Sequence, residues 1–184
     1  GVTGFEALGE IVNGTVNPSG KTVDTFVKDL FKTPYINNIG NHSFTNVDDL
    51  KQAIVDADNS AEGNVAFVNY AEGIYVGYKF YETAAEEGLI KYEDMVQYPF
   101  GHGLSYTTFE KVIENFKDNG DSISFDVTVT NTGDVAGKDV VQMYYTAPYT
   151  NGGIEKASVN LLDFAKTKLL EPGDSETVSF TVNK

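Results

Sequence analysis

The hydrophobic period of the chain changes near residue 100, and this change constrains the fold more than any other feature. In residues 123–129, 141–145 and 178–182, apolar side chains occupy every second position and polar ones the positions between. A period of two is typical of a strand with one buried face. Residues 161–170 form another strand-like stretch, interrupted near Asp163. Because turns rather than helical segments separate these stretches, the sequence predicts an antiparallel β-sandwich of the immunoglobulin or fibronectin type III type.

Two turns support this prediction. Asn131-Thr132-Gly133-Asp134 follows the first alternating stretch, and Glu171-Pro172-Gly173-Asp174 precedes the last. In the second turn, proline presets one backbone dihedral and glycine allows a positive one. Phe125 and Phe180 are predicted to point into the core from their strands.

The first hundred residues contain patterns typical of helices as well as of strands. Thr3 and Glu6 have capping-box spacing, which together with Phe5, Leu8 and Val12 predicts a half-buried helix over residues 4–13. Residues 22–27 alternate enough for a short strand, and residues 86–98 suggest a charged surface excursion. Two further helices are predicted at other positions. One rests on Asn46, Asp49, Leu50, Ala53, Ile54 and Ala57, and the other on an aromatic stripe of Ile74, Tyr75, Tyr78, Tyr81, Ala84 and Ala85. Packing is the favoured role of that stripe over binding.

The composition excludes several classes of function. The net charge is −14 and all 13 basic residues are lysines, so neither nucleic acid nor an anionic membrane is an expected partner. No cysteine is present, which excludes disulfides, thiolate metal sites and cysteine nucleophiles. No apolar run approaches the ~18 residues of a membrane span.

Residues suited to catalysis are sparse. The two histidines, His42 and His102, lie far apart in sequence, and His102 between two glycines is interpreted as a turn residue that tolerates an unusual backbone. The Gly101-His102-Gly103 string lacks the rest of a dinucleotide motif. Paired carboxylates such as Glu86-Glu87, Glu93-Asp94 and Asp48-Asp49 are interpreted as solvated surface. We therefore predict no catalytic residue, no metal site and no cofactor in this chain, and we assign no substrate-binding residue.

Several strings of residues, taken in order, match the pattern of one protein family. They are Gly1 through Leu8 with the Asn17-Pro18-Ser19-Gly20-Lys21 turn, residues 72–81, the string Tyr98-Pro99-Phe100-Gly101-His102-Gly103-Leu104-Ser105-Tyr106-Thr107, and residues 129–137 with 170–175. The first resembles the end of the α/β sandwich domain of family 3 glycoside hydrolases, the β-glucosidase-like enzymes. Residues 72–81 resemble the segment before the third domain of that family, and the later strings resemble its fibronectin type III-like sandwich. The family often has Glu-Gly-Gly-Asn where this chain has Thr3-Gly4-Phe5-Glu6, so no pocket role is transferred there.

The resemblance implies a division of the chain and a function for the whole protein. Residues 1–98 are expected to be the C-terminal part of an α/β sandwich domain with a linker, and residues 99–184 a fibronectin type III-like β-sandwich. Family 3 enzymes are retaining glycosidases that use two carboxyl groups, an aspartate nucleophile in a barrel domain and a glutamate acid/base in the α/β domain. Both are expected to lie outside this chain.

The chain is therefore expected to be a non-catalytic, supporting piece of a longer enzyme that removes terminal β-linked sugars. Its expected partners are the barrel and α/β domains of the same enzyme, in the same or a separate polypeptide, and a carbohydrate substrate. The alternative is a stand-alone β-sandwich module for binding or adhesion. The half α/β domain at the N-terminus distinguishes the two, because an independent module has no use for it.

Overall fold

The computed structural model describes residues 4–38, 42–46, 48–50 and 66–184. The helices are α1 (Gly4–Val12), α2 (Tyr78–Glu86) and α3 (Tyr92–Met95), with two 3-10 segments at Leu30–Lys32 and Pro34–Asn38. The strands are β1 (Phe26–Val27), β2 (Val96–Tyr98), β3 (Phe109–Asp118), β4 (Ser122–Asn131), β5 (Val140–Tyr145), β6 (Asn160–Lys166) and β7 (Ser175–Asn183). Within these ranges, no helix is both long enough and apolar enough to cross a bilayer. The helix predicted over residues 46–57 falls mainly outside the described residues.

The predicted antiparallel sandwich is confirmed. Strand β4 lies between β3 and β7 in one sheet, and β5 pairs with β6 in a second. Phe125 of β4 faces Phe180 of β7 in register, with ring centroids 5.5 Å apart. The expected alternation therefore places matching apolar residues on the same face of both strands.

The core of the sandwich lies between these two sheets. Its buried residues are Val127, Val129, Val141, Leu170 and Phe180. Partly buried side chains from both sheets surround this cluster. Burial of such apolar surface is the main stabilising contribution to a domain of this kind.

Strand β3 was absent from the sequence prediction, because its apolar residues do not alternate. The pairs Glu114↔Asp126 and Lys117↔Ser124 leave one extra residue on β3, which makes a β-bulge. Asn115 in the bulge has a φ of 54°. Only Phe109 of this strand is partly buried, and Ile113 and Phe116 are 67% and 64% exposed, so β3 has no buried face that would impose an alternating pattern.

The N-terminal part departs from prediction in four places, three of them in its helices and in residues 86–98. Helix α1 forms as predicted but is not half-buried: Phe5, Leu8 and Val12 are 75%, 54% and 73% exposed. Helix α2 begins at Tyr78, after Gly77 with its φ of 61°, so the predicted start at Ile74 is wrong. The predicted charged excursion at 86–98 instead contains α3 and β2.

The predicted strand at 22–27 is shorter than expected. It is reduced to β1, which pairs antiparallel with β2. The N-terminal part is therefore held together by pairing between segments about 70 residues apart in sequence.

Candidate functional site

The histidines and paired carboxylates considered in the sequence analysis do not come together in an arrangement suited to catalysis. The carboxylates of Glu86-Glu87, Glu93-Asp94 and Asp48-Asp49 belong to exposed residues. In the described ranges, no three histidine, aspartate or glutamate side chains cluster in a way that could hold a metal ion. What the structure does bring together is a set of contacts between the N-terminal segment, the described residues up to 98, and the sandwich segment, residues 99–184 with β3 to β7. We call this set the junction.

The two histidines have structural surroundings. His42 packs against Phe67, with ring centroids 5.8 Å apart. The His102 ring packs on Tyr98 at 5.1 Å. The His102 backbone N–H donates to Thr22 Oγ1 at 2.9 Å, and its carbonyl accepts from the Thr22 N–H at 2.7 Å. His102 is thus a turn residue as predicted, but the left-handed backbone that we expected there is found at Gly101, with a φ of 79°.

Asn17 fixes the Asn-Pro-Ser-Gly-Lys turn to the sandwich. Its Nδ2 donates to the Ala136 carbonyl at 3.0 Å, while its Oδ1 accepts from the Tyr106 N–H at 2.8 Å and the Ser105 hydroxyl at 3.1 Å. An asparagine side chain can use both its donor and its acceptor at once, which suits it to join two chain segments. Asn17 therefore links the turn both to the segment just before β3 and to the loop before β5.

A buried carboxylate forms the second link. Asp139 is 5% exposed and contacts Lys21 at 2.9 Å and Lys111 of β3 at 2.6 Å. Burial alone raises the pKa of this carboxyl, but hydrogen bonds from Lys111, Lys21 and the Val140 N–H outweigh it and hold the pKa below its usual value. Asp139 stays ionised at neutral pH and binds one lysine from each side of the junction.

Two glycines allow the close approach that these contacts need. A Cβ added at Gly137 would lie 2.7 Å from Asn17 Nδ2 and 2.8 Å from Thr107 Cγ2. A Cβ at Gly103 would overlap the Gly20 carbonyl and lie 2.7 Å from Lys21 Cδ. Any larger residue at either position would push the turn away from the sandwich.

Asn131 organises the sandwich side of the junction and is fully buried. Its Oδ1 accepts from Thr107 Oγ1 at 2.7 Å and from the Gly133 N–H at 3.1 Å. Its Nδ2 donates to the carbonyls of Val135 and Leu170 at 2.9 and 2.8 Å. The sequence indicated only a turn at this position, since nothing in it shows that a turn asparagine will be buried.

Helix α2 adds a third link. The Tyr78 hydroxyl accepts from the Leu161 N–H of β6 at 2.8 Å, and Thr83 Oγ1 accepts from the Ser158 N–H at 3.0 Å. Tyr81 is buried, as the packing interpretation of the aromatic stripe predicted. Burial, followed by the nearby Tyr35 and Asp24, raises the pKa of Tyr81 to about 12, so its phenol stays neutral. Tyr78 accepts a hydrogen bond, whereas Tyr81 only packs, because its buried hydroxyl has no hydrogen-bond partner among the described residues.

The junction can therefore hold two parts of a chain in a fixed orientation, and it offers no nucleophile with an adjacent base. The residues that do this were only partly recognised from the sequence. The turn containing Asn17 and Lys21 was singled out. Asp139, Lys111 and Thr107 were not assigned a role, because each finds its partner far away in the chain.

Comparisons with known proteins agree with this geometry. Residues 139–184 match the family model of the fibronectin type III-like domain. β-Glucosidase A of Butyrivibrio fibrisolvens is 37% identical over 99% of this chain, which covers 20% of that protein. Thermostable β-glucosidase B of Acetivibrio thermocellus is 36% identical over 97% of the chain, again 20% of the relative.

Solved structures match as well. The structure of β-glucosidase 3B from Thermotoga neapolitana in complex with glucose aligns with a TM-score of 0.72 and 35% identity, over 96% of this chain and 21% of that one. The GH3 β-glucosidase of Bifidobacterium adolescentis aligns with a TM-score of 0.68 and 28% identity, over 97% of this chain and 22% of that one. The chain thus spans about a fifth of the relatives that it matches.

Proposed function

We propose that this chain, which is related along nearly its whole length to a region of family 3 β-glucosidases and carries their fibronectin type III-like domain, is the non-catalytic supporting part of a retaining glycoside hydrolase. In this proposal the whole enzyme removes terminal β-linked sugars, with two carboxyl groups that act as nucleophile and acid/base. Both carboxyl groups lie in the parts of the enzyme that this chain does not include. The chain alone does not catalyse the reaction.

The observation that carries the proposal is the junction. Asn17, Lys21 and Asp139 join the N-terminal segment to the sandwich through directional polar contacts. Hydrogen bonds of this kind fix an orientation, which a purely apolar contact does not. A sandwich joined in this way can brace the domain to which the N-terminal segment belongs.

We propose residues 1–98 as the end of an α/β domain and residues 99–184 as the sandwich. The exposed apolar face of α1, formed by Phe5, Leu8 and Val12, supports this division. In a complete α/β domain such a helix covers a sheet, and exposed apolar patches of a few hundred Å² mark contact surfaces. The partners proposed for this face are the remaining α/β and barrel domains, in the same polypeptide or in a separate one.

The exposed face of α1 also weighs against the alternative of a stand-alone binding or adhesion module, because a self-sufficient module would bury it. Intact-mass measurement of the purified native protein separates the two. A larger polypeptide, or a second one bound to this chain, supports the enzyme. A native protein of 184 residues without a partner supports the module.

Activity measurements test the proposal directly. The 184-residue chain should release no nitrophenol from an aryl β-glucoside above a heat-inactivated control. Exchange of the matching region of the Thermotoga neapolitana enzyme for this chain should give an active chimaera. In that chimaera, Asp139→Asn should lower the temperature of half-inactivation and leave KM unchanged.

Two results would contradict the proposal. Turnover by the isolated chain would show that it carries its own catalytic groups. A chimaera in which Asp139→Asn alters KM but not thermal inactivation would show that the junction acts on substrate rather than on stability. Asp121→Asn provides a matched control, since Asp121 is an exposed aspartate in the turn between β3 and β4, outside the junction.

A further inference from the structure

A cleft of about 600 Å³ lies between helix α2 and the loop that joins β5 to β6, residues 146–158. Tyr75, Glu86 and Glu87 line one wall, and Tyr149, Asn151 and Lys156 line the other. Small-molecule sites commonly occupy ~300–1,000 Å³, so the cleft has room for one or two sugar rings. None of these residues takes part in the contacts of the junction through Asn17 and Asp139.

The two walls of the cleft are held in place by the fold. Thr83 of α2 accepts hydrogen bonds from the backbone N–H of Ser158 at 3.0 Å and from its hydroxyl at 3.3 Å. Across the loop, Lys156 Nζ donates to the Pro148 carbonyl at 2.6 Å. The Gly153 N–H donates to the Thr150 carbonyl at 2.8 Å and closes the tip of the loop. The cleft is thus formed before a ligand arrives, which lowers the entropic cost of binding.

The chemistry of the lining matches a neutral polyol with an apolar face. Tyr149 is 53% exposed and offers an aromatic ring to the cleft. Glu87 and Asn151 supply acceptors and a donor for hydroxyl groups. Lys156 keeps its positive charge although its Nζ donates to the Pro148 carbonyl, and the lining still carries a net charge of −1 because of its two carboxylates, Glu86 and Glu87. These disfavour anionic ligands by like-charge repulsion.

The raised pKa of Tyr75 indicates that several of these side chains lie close to its hydroxyl. Its pKa is raised, first by desolvation and then by Glu155, Tyr149 and Glu87, whose charges act on the phenol. The Tyr75 hydroxyl therefore stays protonated and available as a hydrogen-bond donor.

We propose that this cleft binds a short neutral pyranoside, with the ring of Tyr149 as the stacking surface and Glu87, Asn151 and Tyr75 as hydrogen-bond partners. Aromatic side chains present a large, rigid apolar face with few torsions to restrict. The site is a binding site and needs no catalytic group. The choice of a sugar among neutral polyols rests on the proposed function, whereas the location and charge preference rest on the cleft itself.

Titration of the full 184-residue chain with cellobiose, followed by amide nuclear magnetic resonance, tests the proposal. Saturable shifts should occur at Asn151, Gly152 and Gly153 and not at the free edge of β3. Tyr149→Ala should weaken binding roughly tenfold, the effect of losing an aromatic contact, while Tyr149→Phe should keep it. Tyr70→Ala serves as the matched control, because Tyr70 is an exposed tyrosine outside the cleft lining.

A second ligand and a second variant make the outcome decisive. Glucose 6-phosphate should bind more weakly than glucose. Glu87→Gln should reduce the difference between the two dissociation constants. The proposal is overturned if cellobiose gives no saturable shift, if Tyr149→Ala binds as well as Tyr70→Ala, or if the phosphorylated sugar binds better. If the cleft binds no sugar but the chimaera described above is active, the binding proposal is wrong and the proposed function still stands. The two proposals can therefore be refuted separately.

Discussion

Replacement of Asn131 by aspartate is the sharpest single perturbation of the sandwich. The two side chains have nearly the same shape, so packing is preserved. The substitution nonetheless removes the amide group that donates to the Val135 and Leu170 carbonyls at 2.9 and 2.8 Å. It also places a carboxylate oxygen against both carbonyls at a position with no solvent exposure.

The size of the effect follows from these contacts. The Leu170 carbonyl keeps its hydrogen bond from the Gly137 N–H, so only the Val135 carbonyl loses its donor, at a cost of ~1–3 kcal/mol. The new carboxylate has no cation beside it, and an uncompensated buried charge costs ~3–5 kcal/mol. The two acceptor contacts, from Thr107 and the Gly133 N–H, survive the change. We expect Asn131→Asp to lower the free energy of unfolding by about 4 kcal/mol at neutral pH, which for a chain of this size shifts Tm by ~10 °C.

The pH dependence distinguishes this mechanism from simple loss of packing. Burial among carbonyls raises the pKa of the introduced carboxyl above the ~3.9 of an unfolded aspartate. The loss in the free energy of unfolding relative to the wild type is therefore largest above that raised pKa. It becomes smaller as the pH falls through the raised pKa, because the folded state favours the protonated carboxyl. Urea unfolding of both proteins from pH 7 to pH 4 measures this.

Asn119→Asp is the control, because Asn119 makes one exposed contact, 3.3 Å from Ser124 Oγ. It should cost less than ~1 kcal/mol. A cost for Asn131→Asp no greater than that of the control, or a deficit that does not change with pH, would refute the assignment of Asn131 as a buried, fully paired amide.

Three further predictions concern the core, the junction and helix α1. Phe180→Ala should cost ~3–5 kcal/mol in urea unfolding and Phe125→Ala less, because Phe125 is only partly buried; equal costs would contradict the described core. The pKa of Asp139 is lowered in the folded state. The difference in unfolding free energy between wild type and Asp139→Asn should therefore be fully present above about pH 4 and diminish as the pH falls below that value. A constant difference down to about pH 2 would show that the carboxylate is not paired. Leu8→Glu should abolish the self-association that light scattering is expected to detect in the isolated chain through the exposed face of α1, and a chain that is monomeric before the substitution would refute that expectation.

The sequence predicted the sandwich where apolar and polar residues alternate along a strand. Strands β4, β5 and β7 show this alternation, and each buries part of one face. Strand β3 was missed because it is exposed along nearly its whole length and its sequence does not alternate, and its bulge at Asn115 adds a shift of one residue. In β6, the residue Leu162 is likewise extra, between the pairs Met143↔Asp163 and Tyr144↔Leu161, which explains the interruption near Asp163.

The N-terminal part was predicted less well for a different physical reason. Helical spacing correctly located α1, but burial depends on what covers a helix, and the described residues contain nothing that covers Phe5 or Val12. Pairing of β1 with β2 joins positions about 70 residues apart, and strands of two and three residues are too short to show a period. Local pattern identifies elements, whereas their burial and pairing are set by distant parts of the chain.

Four of the strings that carry the family resemblance also meet in space. The turn at 17–21 contacts the string at 99–107 through Asn17 with Tyr106 and through the Gly20 backbone beside Gly103. The strings at 129–137 and 170–175 meet through Asn131 and the Leu170 carbonyl. Each contact depends on an amide, a carboxylate or the absence of a side chain at one position, so few other residues satisfy it. A core of valines and phenylalanines accepts many sequences of similar volume, but a polar junction does not. The recognisable parts of this sequence therefore include those that encode the orientation of the sandwich, and this is the physical reason why they stand out from the apolar core.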